Sequence, residues 1–131
     1  MSKPLQNLRA LVVDDDRISL SVVSSVVRAL GVGQTLQASD GQEALDLFQA
    51  ARPPVDLVVC DWEMPKMNGL DLLKTLRQGG HTTPFLMLTA HNDPESVIEA
   101  KQNGVTGYIA KPFTPAQIER KVRAMLEPAK S

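Results

Sequence analysis

Short apolar runs recur along the chain at nearly even intervals, and segments with helical spacing separate them. Ala10-Leu11-Val12-Val13, Val55 to Cys60 and Phe85-Leu86-Met87-Leu88-Thr89 are almost continuously apolar and rich in β-branched residues. Such runs predict strands buried on both faces. Gln34-Thr35-Leu36-Gln37-Ala38 interleaves polar with apolar residues, a pattern that suits the edge of a sheet. Gly107-Tyr108-Ile109-Ala110 is the fifth and last strand.

Between these runs the period changes to that of a helix. Ile18, Val22, Val26 and Leu30 predict a helix over about 17–30, stopped by Gly31. Asp40 as N-cap with Glu43 three residues on opens a second helix, whose buried side is Ala44, Leu45, Leu47, Phe48 and Ala51 and which Pro53-Pro54 ends. Leu72, Leu73 and Leu76 share a face of a third helix near 70–78, closed by Gly79-Gly80. Asn92-Asp93-Pro94-Glu95 holds a cap, a proline at the first helical position and an acid in the first turn, so a fourth helix should run to about Asn103 before Gly104. Thr114-Pro115-Ala116-Gln117 reads as a capping box. It leads into a last helix with Ile118, Val122, Met125 and Leu126 inward and Glu119 one turn before Arg123, fraying from Glu127.

Five strands alternating with five helices over short connections predict one parallel sheet, covered on both faces and wound by right-handed crossovers. The 131 residues suit a single domain with its own core. Apolar residues at 43% and charged residues at 22% are those of a soluble globular chain. A formal net charge of -1 without a long basic run argues against a general nucleic-acid footprint. Cys60, the single cysteine, rules out an internal disulfide framework and reads as a small buried hydrophobe. Met1 to Asn7 is too short and polar for a signal peptide, and no apolar run approaches a membrane span, so a cytoplasmic location is expected.

Ligands of open α/β sheets bind beyond the carboxyl ends of the strands. Those ends deliver Asp14 and Asp15 from the first strand, Asp61 from the third, Thr89 from the fourth and Lys111 from the fifth. The second strand delivers only Ala38-Ser39 before Asp40, as suits an edge away from the site. Three neighbouring carboxylates repel unless one binds a proton or a cation neutralises them. An all-oxygen set without clustered histidine or cysteine favours Mg²⁺ over zinc. An aspartate can attack phosphorus and hold an acyl phosphate, with an ammonium and a hydroxyl to balance and orient the phosphoryl oxygens.

Four pieces in order, each at a strand end, carry a resemblance. They are Leu11-Val12-Val13-Asp14-Asp15, the Asp61 stretch with Met64-Pro65, Met67, Asn68 and Gly69, Leu88-Thr89-Ala90, and Lys111-Pro112-Phe113. From about Leu8 to Leu126 the chain resembles the receiver domain of bacterial two-component response regulators, of the small, stand-alone CheY-like type. The resemblance implies a flavodoxin-like sheet in the order 2-1-3-4-5. It implies Asp61 as phosphoacceptor and a Mg²⁺ site, with Mn²⁺ able to substitute, made by Asp15, Asp61 and the backbone carbonyl of Glu63, Asp14 assisting through water. Thr89 and Lys111 would contact the phosphoryl group, Tyr108 would be a switch coupled to Thr89, and the bond before Pro112 would be cis. A sensor histidine kinase or a histidine phosphotransfer protein would donate, and a separate downstream protein would bind near Tyr108 and the last two helices, with neither nucleic acid nor membrane insertion involved.

Some assignments stay open on the sequence. Asp14, Asp15 and Asp16 offer two possible acidic pairs; the pair joined directly to the strand is preferred, leaving Asp16 to cap or precede the first helix. Glu63 and His91, two residues after Asp61 and Thr89, are candidates for setting the lifetime of an acyl phosphate. Trp62 is a built-in reporter, and Met64 and Met67 are expected to pack the loop down. A Mg²⁺-dependent phosphatase of haloacid dehalogenase type would want an aspartate where Glu63 stands, and a flavodoxin would want a phosphate-cradling loop where three acids stand.

Overall fold

A computed structural model describes residues 4–91 and 93–126. The expected fraying from Glu127, Asn92 of the stretch that opens the fourth helix, and the first three residues of the amino-terminal segment lie outside the described residues. After a 3₁₀ turn at Leu5–Asn7 come β1 (Arg9–Val13), α1 (Arg17–Ala29), β2 (Gln34–Ala38), α2 (Gly41–Ala50) and β3 (Leu57–Asp61). Next are α3 (Gly69–Gln78), β4 (Phe85–Thr89), α4 (Pro94–Gln102), β5 (Gly107–Ala110) and α5 (Pro115–Leu126). All pairings are parallel and the order is β2-β1-β3-β4-β5.

The continuous apolar runs have a simple cause, since alternate residues of each inner strand serve opposite faces. Leu11, Val13, Val58, Cys60, Phe85 and Met87 pack with Ala44 and Phe48 of α2, with Leu72, Leu73 and Leu76 of α3 and with Ala100 of α4. Ala10, Val12, Leu57, Val59, Leu86 and Leu88 pack with Val23 and Val27 of α1 and with Ile118 and Val122 of α5. At roughly 1.5–3 kcal/mol for each fully buried aliphatic or aromatic side chain, both faces must be covered for the sheet to persist.

The expected caps form. Asp16 Oδ1 accepts from Ile18 N at 3.2 Å and its Oδ2 from Ser19 Oγ at 2.9 Å. Asp40 Oδ1 accepts from Glu43 N at 2.8 Å, and Asp93 Oδ2 accepts from Ser96 N at 3.0 Å. Thr114 and Gln117 bond reciprocally, Gln117 Oε1 taking the Thr114 N–H at 2.7 Å and Thr114 Oγ1 the Gln117 N–H at 3.2 Å. Positive φ values at Gly31, Gly80 and Gly104 fall just past α1, α3 and α4. The bond between Lys111 and Pro112 is cis, as is that between Arg52 and Pro53.

One helix turns inward a face that shares only the later part, Val26 and Leu30, of the stripe its spacing marks. Ile18 and Val22 are exposed (75% and 42%), and Val26 is half-buried. The buried line is Val23, Ser24 and Val27, with Leu30 at its end. Alpha-helix α1 carries two apolar stripes, and the stripe over β1 wins because Ser24 is accommodated there by a 2.9 Å hydrogen bond from Gln37 Nε2 of β2.

Candidate phosphoacceptor site

Parallel pairing brings four strand ends into one row. Asp61 is the last residue of β3 and pairs with Leu88, one residue before Thr89. Thr89 in turn pairs with Ala110, so that Lys111 leaves the sheet beside it, its N–H donating to Thr89 O at 2.7 Å. On the other side the Asp14 N–H donates to Ala38 O at 3.1 Å, which fixes the exit of β1.

The side chains meet as follows. Carboxylate oxygens of Asp14, Asp15 and Asp61 lie within 4.8 Å of one another. Lys111 Nζ is 2.8 Å from Asp61 Oδ1. Asp16 stands apart from this group, its oxygens spent on the start of α1, so the geometry brings together the acidic pair nearer the strand. Asp14 Oδ1 accepts from Asp16 N at 2.9 Å, while Asp14 Oδ2 is buried with no hydrogen-bond partner.

Burial and charge crowding leave the group poorly neutralised. Burial pushes the Asp14 carboxyl up to about 6, against the pull of the Asp16 N–H, and the Asp61 carboxylate adds to the rise. Asp61 is raised as well, mainly by burial, with the Lys111 ammonium opposing and the Glu63 and Asp15 carboxylates assisting. Burial works against the charge of Lys111, yet its hydrogen bond to Asp61 and the neighbouring carboxylates outweigh it and its pKa lies above the usual lysine value. The Cys60 thiol is pushed well up by burial and by Asp61 and Asp14, so it stays protonated and inert.

Larger side chains gather around His91, two residues after Thr89. Thr89 is fully buried and its Oγ1 accepts from His91 N at 2.8 Å. The Tyr108 hydroxyl donates to the His91 carbonyl. His91 Nε2 lies 2.6 Å from Glu63 Oε2, each side chain 45% exposed, so the two lifetime candidates touch. Trp62 is 7% exposed, with ring centroids 5.1 Å from His91 and 6.5 Å from Tyr108. Met64 and Met67 pack against the core.

The loop that carries Glu63 depends on glycines whose tasks no local pattern reveals. A Cβ on Gly69 would lie 2.4 Å from Asp61 O, and the Gly69 N–H donates to Trp62 O at 2.9 Å. A Cβ on Gly41 would lie 2.1 Å from Met67 O. The first glycine stands within the motif; the second lies far away in sequence, and only the folded chain reveals the contact.

A parallel sheet in this order, with acids, hydroxyl and ammonium gathered at its carboxyl edge, defines a class, and comparison with known proteins agrees with it. The model of the response regulator receiver domain matches residues 10–123. The chain belongs to that family, whose members are phosphorylation-dependent signalling domains, and the phosphatase and flavodoxin readings fall away. Chemotaxis protein CheY-3 of Vibrio cholerae is 41% identical over 124 residues, covering 93% of this chain and 94% of that one. Chemotaxis protein CheY of Pseudomonas aeruginosa is 36% identical over 122 residues, covering 92% and 97%. Among solved structures, the chemotaxis response regulator CheY4 of Vibrio cholerae superposes with a TM-score of 0.82 at 35% identity, covering 91% of this chain and 98% of that one.

Proposed function

We propose that Asp61 is the phosphoacceptor of a chemotaxis-type or phosphorelay switch, and that the chain catalyses its own phosphorylation and dephosphorylation there. The observation that carries this reading is the approach of Lys111 Nζ to Asp61 Oδ1 at 2.8 Å beside two further carboxylates. In the forward step an Asp61 oxygen forms a bond to phosphorus as the bond from phosphorus to the donor imidazole nitrogen breaks, that nitrogen keeping the electron pair. Lys111 moves from the carboxylate toward the phosphoryl oxygens, and the Thr89 hydroxyl donates to another of them.

The donor set fits a hard divalent cation. Every available ligand is oxygen, Asp14 Oδ2 is buried and unpartnered, and Glu63 O accepts no hydrogen bond among the described residues. Asp15, Asp61 and Glu63 O would hold Mg²⁺ or Mn²⁺, with Asp14 acting through water. When bound, the ion would neutralise the carboxylates and charge on the transferring group.

Donors in this reading are a sensor histidine kinase or a histidine phosphotransfer protein, and a separate protein reads the surface around Tyr108, α4 and α5. Tyr108 is the coupling residue because its hydroxyl holds the carbonyl of the segment that follows Thr89. No described helix is long and apolar enough to cross a membrane. The likeness to chemotaxis regulators supports a cytoplasmic location. Mass measurement after acetyl phosphate and Mg²⁺ tests the chemistry. One phosphoryl adduct per chain is expected in the wild type and none in Asp61→Asn; an adduct that survives this substitution overturns the assignment.

A further inference from the structure

The geometry points to Gly41, the first residue of α2, as a positioning residue for the cation site: it holds the loop at 62–68, and with it the Glu63 carbonyl, where an ion can use it. This inference rests on the cation-assisted reading above.

The loop is fastened to the sheet through Trp62 N to Leu88 O at 2.9 Å, and its two ends are closed on each other through Gly69 N to Trp62 O at 2.9 Å. Its far side carries one backbone fastening, besides the Glu63–His91 side-chain pair and the packing of Met64 and Met67. The Gly41 N–H donates to Met67 O at 3.1 Å, and among the described residues this is the one backbone hydrogen bond that ties 63–67 to another part of the chain. Asp40 adds a looser hold, its Oδ2 standing 3.7 Å from Lys66 Nζ while its Oδ1 caps α2. The turn also asks for outside support, since Lys66 is held at φ 68°, a left-handed conformation that a residue with a Cβ adopts at a cost.

A methyl group at Gly41 would meet Met67 O at 2.1 Å and Met67 C at 2.8 Å, both backbone atoms, against 3.4–4 Å for ordinary contact. One of the two segments must therefore move by about an ångström. Since α2 is anchored by the buried Ala44 and Phe48, whereas Met64 and Met67 of the loop are only partly buried, the loop is the part that yields. Lys66 is then free to relax toward negative φ, and Glu63 O shifts with it. Asp61 and Thr89 end their strands, and Lys111 follows β5 directly with its N–H held on Thr89 O, so all three stay in place. Disturbance at Gly41 should thus weaken cation binding and leave the nucleophile intact.

The test is a Mg²⁺ titration followed by Trp62 fluorescence, with phosphorylation by acetyl phosphate measured at limiting and at saturating Mg²⁺. Gly41→Ala is expected to raise the half-saturating Mg²⁺ concentration about tenfold or more, the scale of supporting residues at metal sites. At saturating Mg²⁺ its phosphorylation rate should return to within about twofold of wild type. Gly33→Ala is the matched control, because its Cβ would meet Gln6 O at 1.9 Å at the opposite end of the sheet. That variant should lose thermal stability and keep wild-type Mg²⁺ affinity.

A measurement on the wild type covers the case in which Gly41→Ala does not fold. Linkage is reciprocal, so if this contact favours the ion, the ion must favour the contact. Saturating Mg²⁺ should slow amide exchange at Gly41 severalfold and leave Gly33, which donates to Leu5 O at 3.2 Å, unchanged. Wild-type affinity in Gly41→Ala, or Mg²⁺-independent exchange at Gly41, overturns the positioning role alone. A wild-type protein that binds no Mg²⁺ overturns the cation-assisted reading and this inference together.

Discussion

Lys111 reaches from the end of β5 to place its ammonium 2.8 Å from Asp61 at the end of β3, the lysine side chain 30% exposed and the carboxylate 5%. A buried carboxylate with one cation for a partner is sensitive to that partner's loss. Lys111→Met is expected to destabilise the fold by about 2 kcal/mol at neutral pH, less than for a fully enclosed pair because water reaches the lysine. Phosphorylation should slow by about a hundredfold, as for loss of one charge-stabilising donor. Chemical denaturation and acetyl phosphate kinetics measure the two effects separately.

The acidic cluster predicts a pH dependence with a definite sign. In the fold Asp14 keeps its proton up to about pH 6, whereas its ordinary value is 3.8. The folded state therefore binds more protons than the unfolded one between those values, and stability of the metal-free protein falls as pH rises through that window. The loss is complete above about pH 6 and amounts to about 2–3 kcal/mol, with Asp61 shifted the same way. Asp14→Asn should remove the penalty. In EDTA it should melt several degrees above wild type at pH 7 and show little gain at pH 4, which calorimetry at both pH values reads directly.

Glu63 and His91, two residues beyond Asp61 and Thr89, pair at 2.6 Å, each side chain 45% exposed. Glu63→Ala and His91→Ala are each expected to change the dephosphorylation rate by about threefold or more, roughly 0.7 kcal/mol in barrier. Decay of the adduct by mass is the measurement. Unchanged rates in both variants would remove these residues from any role in its lifetime.

The two stripes of α1 make a stability prediction. Ile18→Ser and Val22→Ser, on the exposed stripe, should lie within about 0.5 kcal/mol of wild type. Val27→Ala, with its side chain fully buried between α1 and the sheet, should cost about 2 kcal/mol. Urea midpoints with unchanged slopes would show it.

That contrast marks where sequence reasoning reaches and where it stops. Strands covered on both faces announce themselves, because Val58, Val59 and Cys60 leave no polar position to mistake. Caps are equally plain, since Asp40 with Glu43 and Thr114 with Gln117 act within one turn. The inward face of α1 is not plain: two stripes have the right period, and what favours the one with Ser24 is Gln37 on another element. Asp16 shows the same limit, its assignment between cap and cluster settled by Ile18 and Ser19 against the distant Asp61. Beta-strand β2 supplies no site side chain, as its sequence suggests. Yet the connection after it touches the loop beyond β3 through Gly41 and Met67, a contact between segments that share no pattern.

Cys60 has a practical consequence. It is the chain's single thiol, it lies on β3 next to Asp61, and it is 0% exposed. A thiol reagent should therefore find nothing to modify until β3 opens. Its rate of labelling becomes a clock on the strand that carries Asp61. A cysteine placed anywhere on the surface would take a dye without background from the native one.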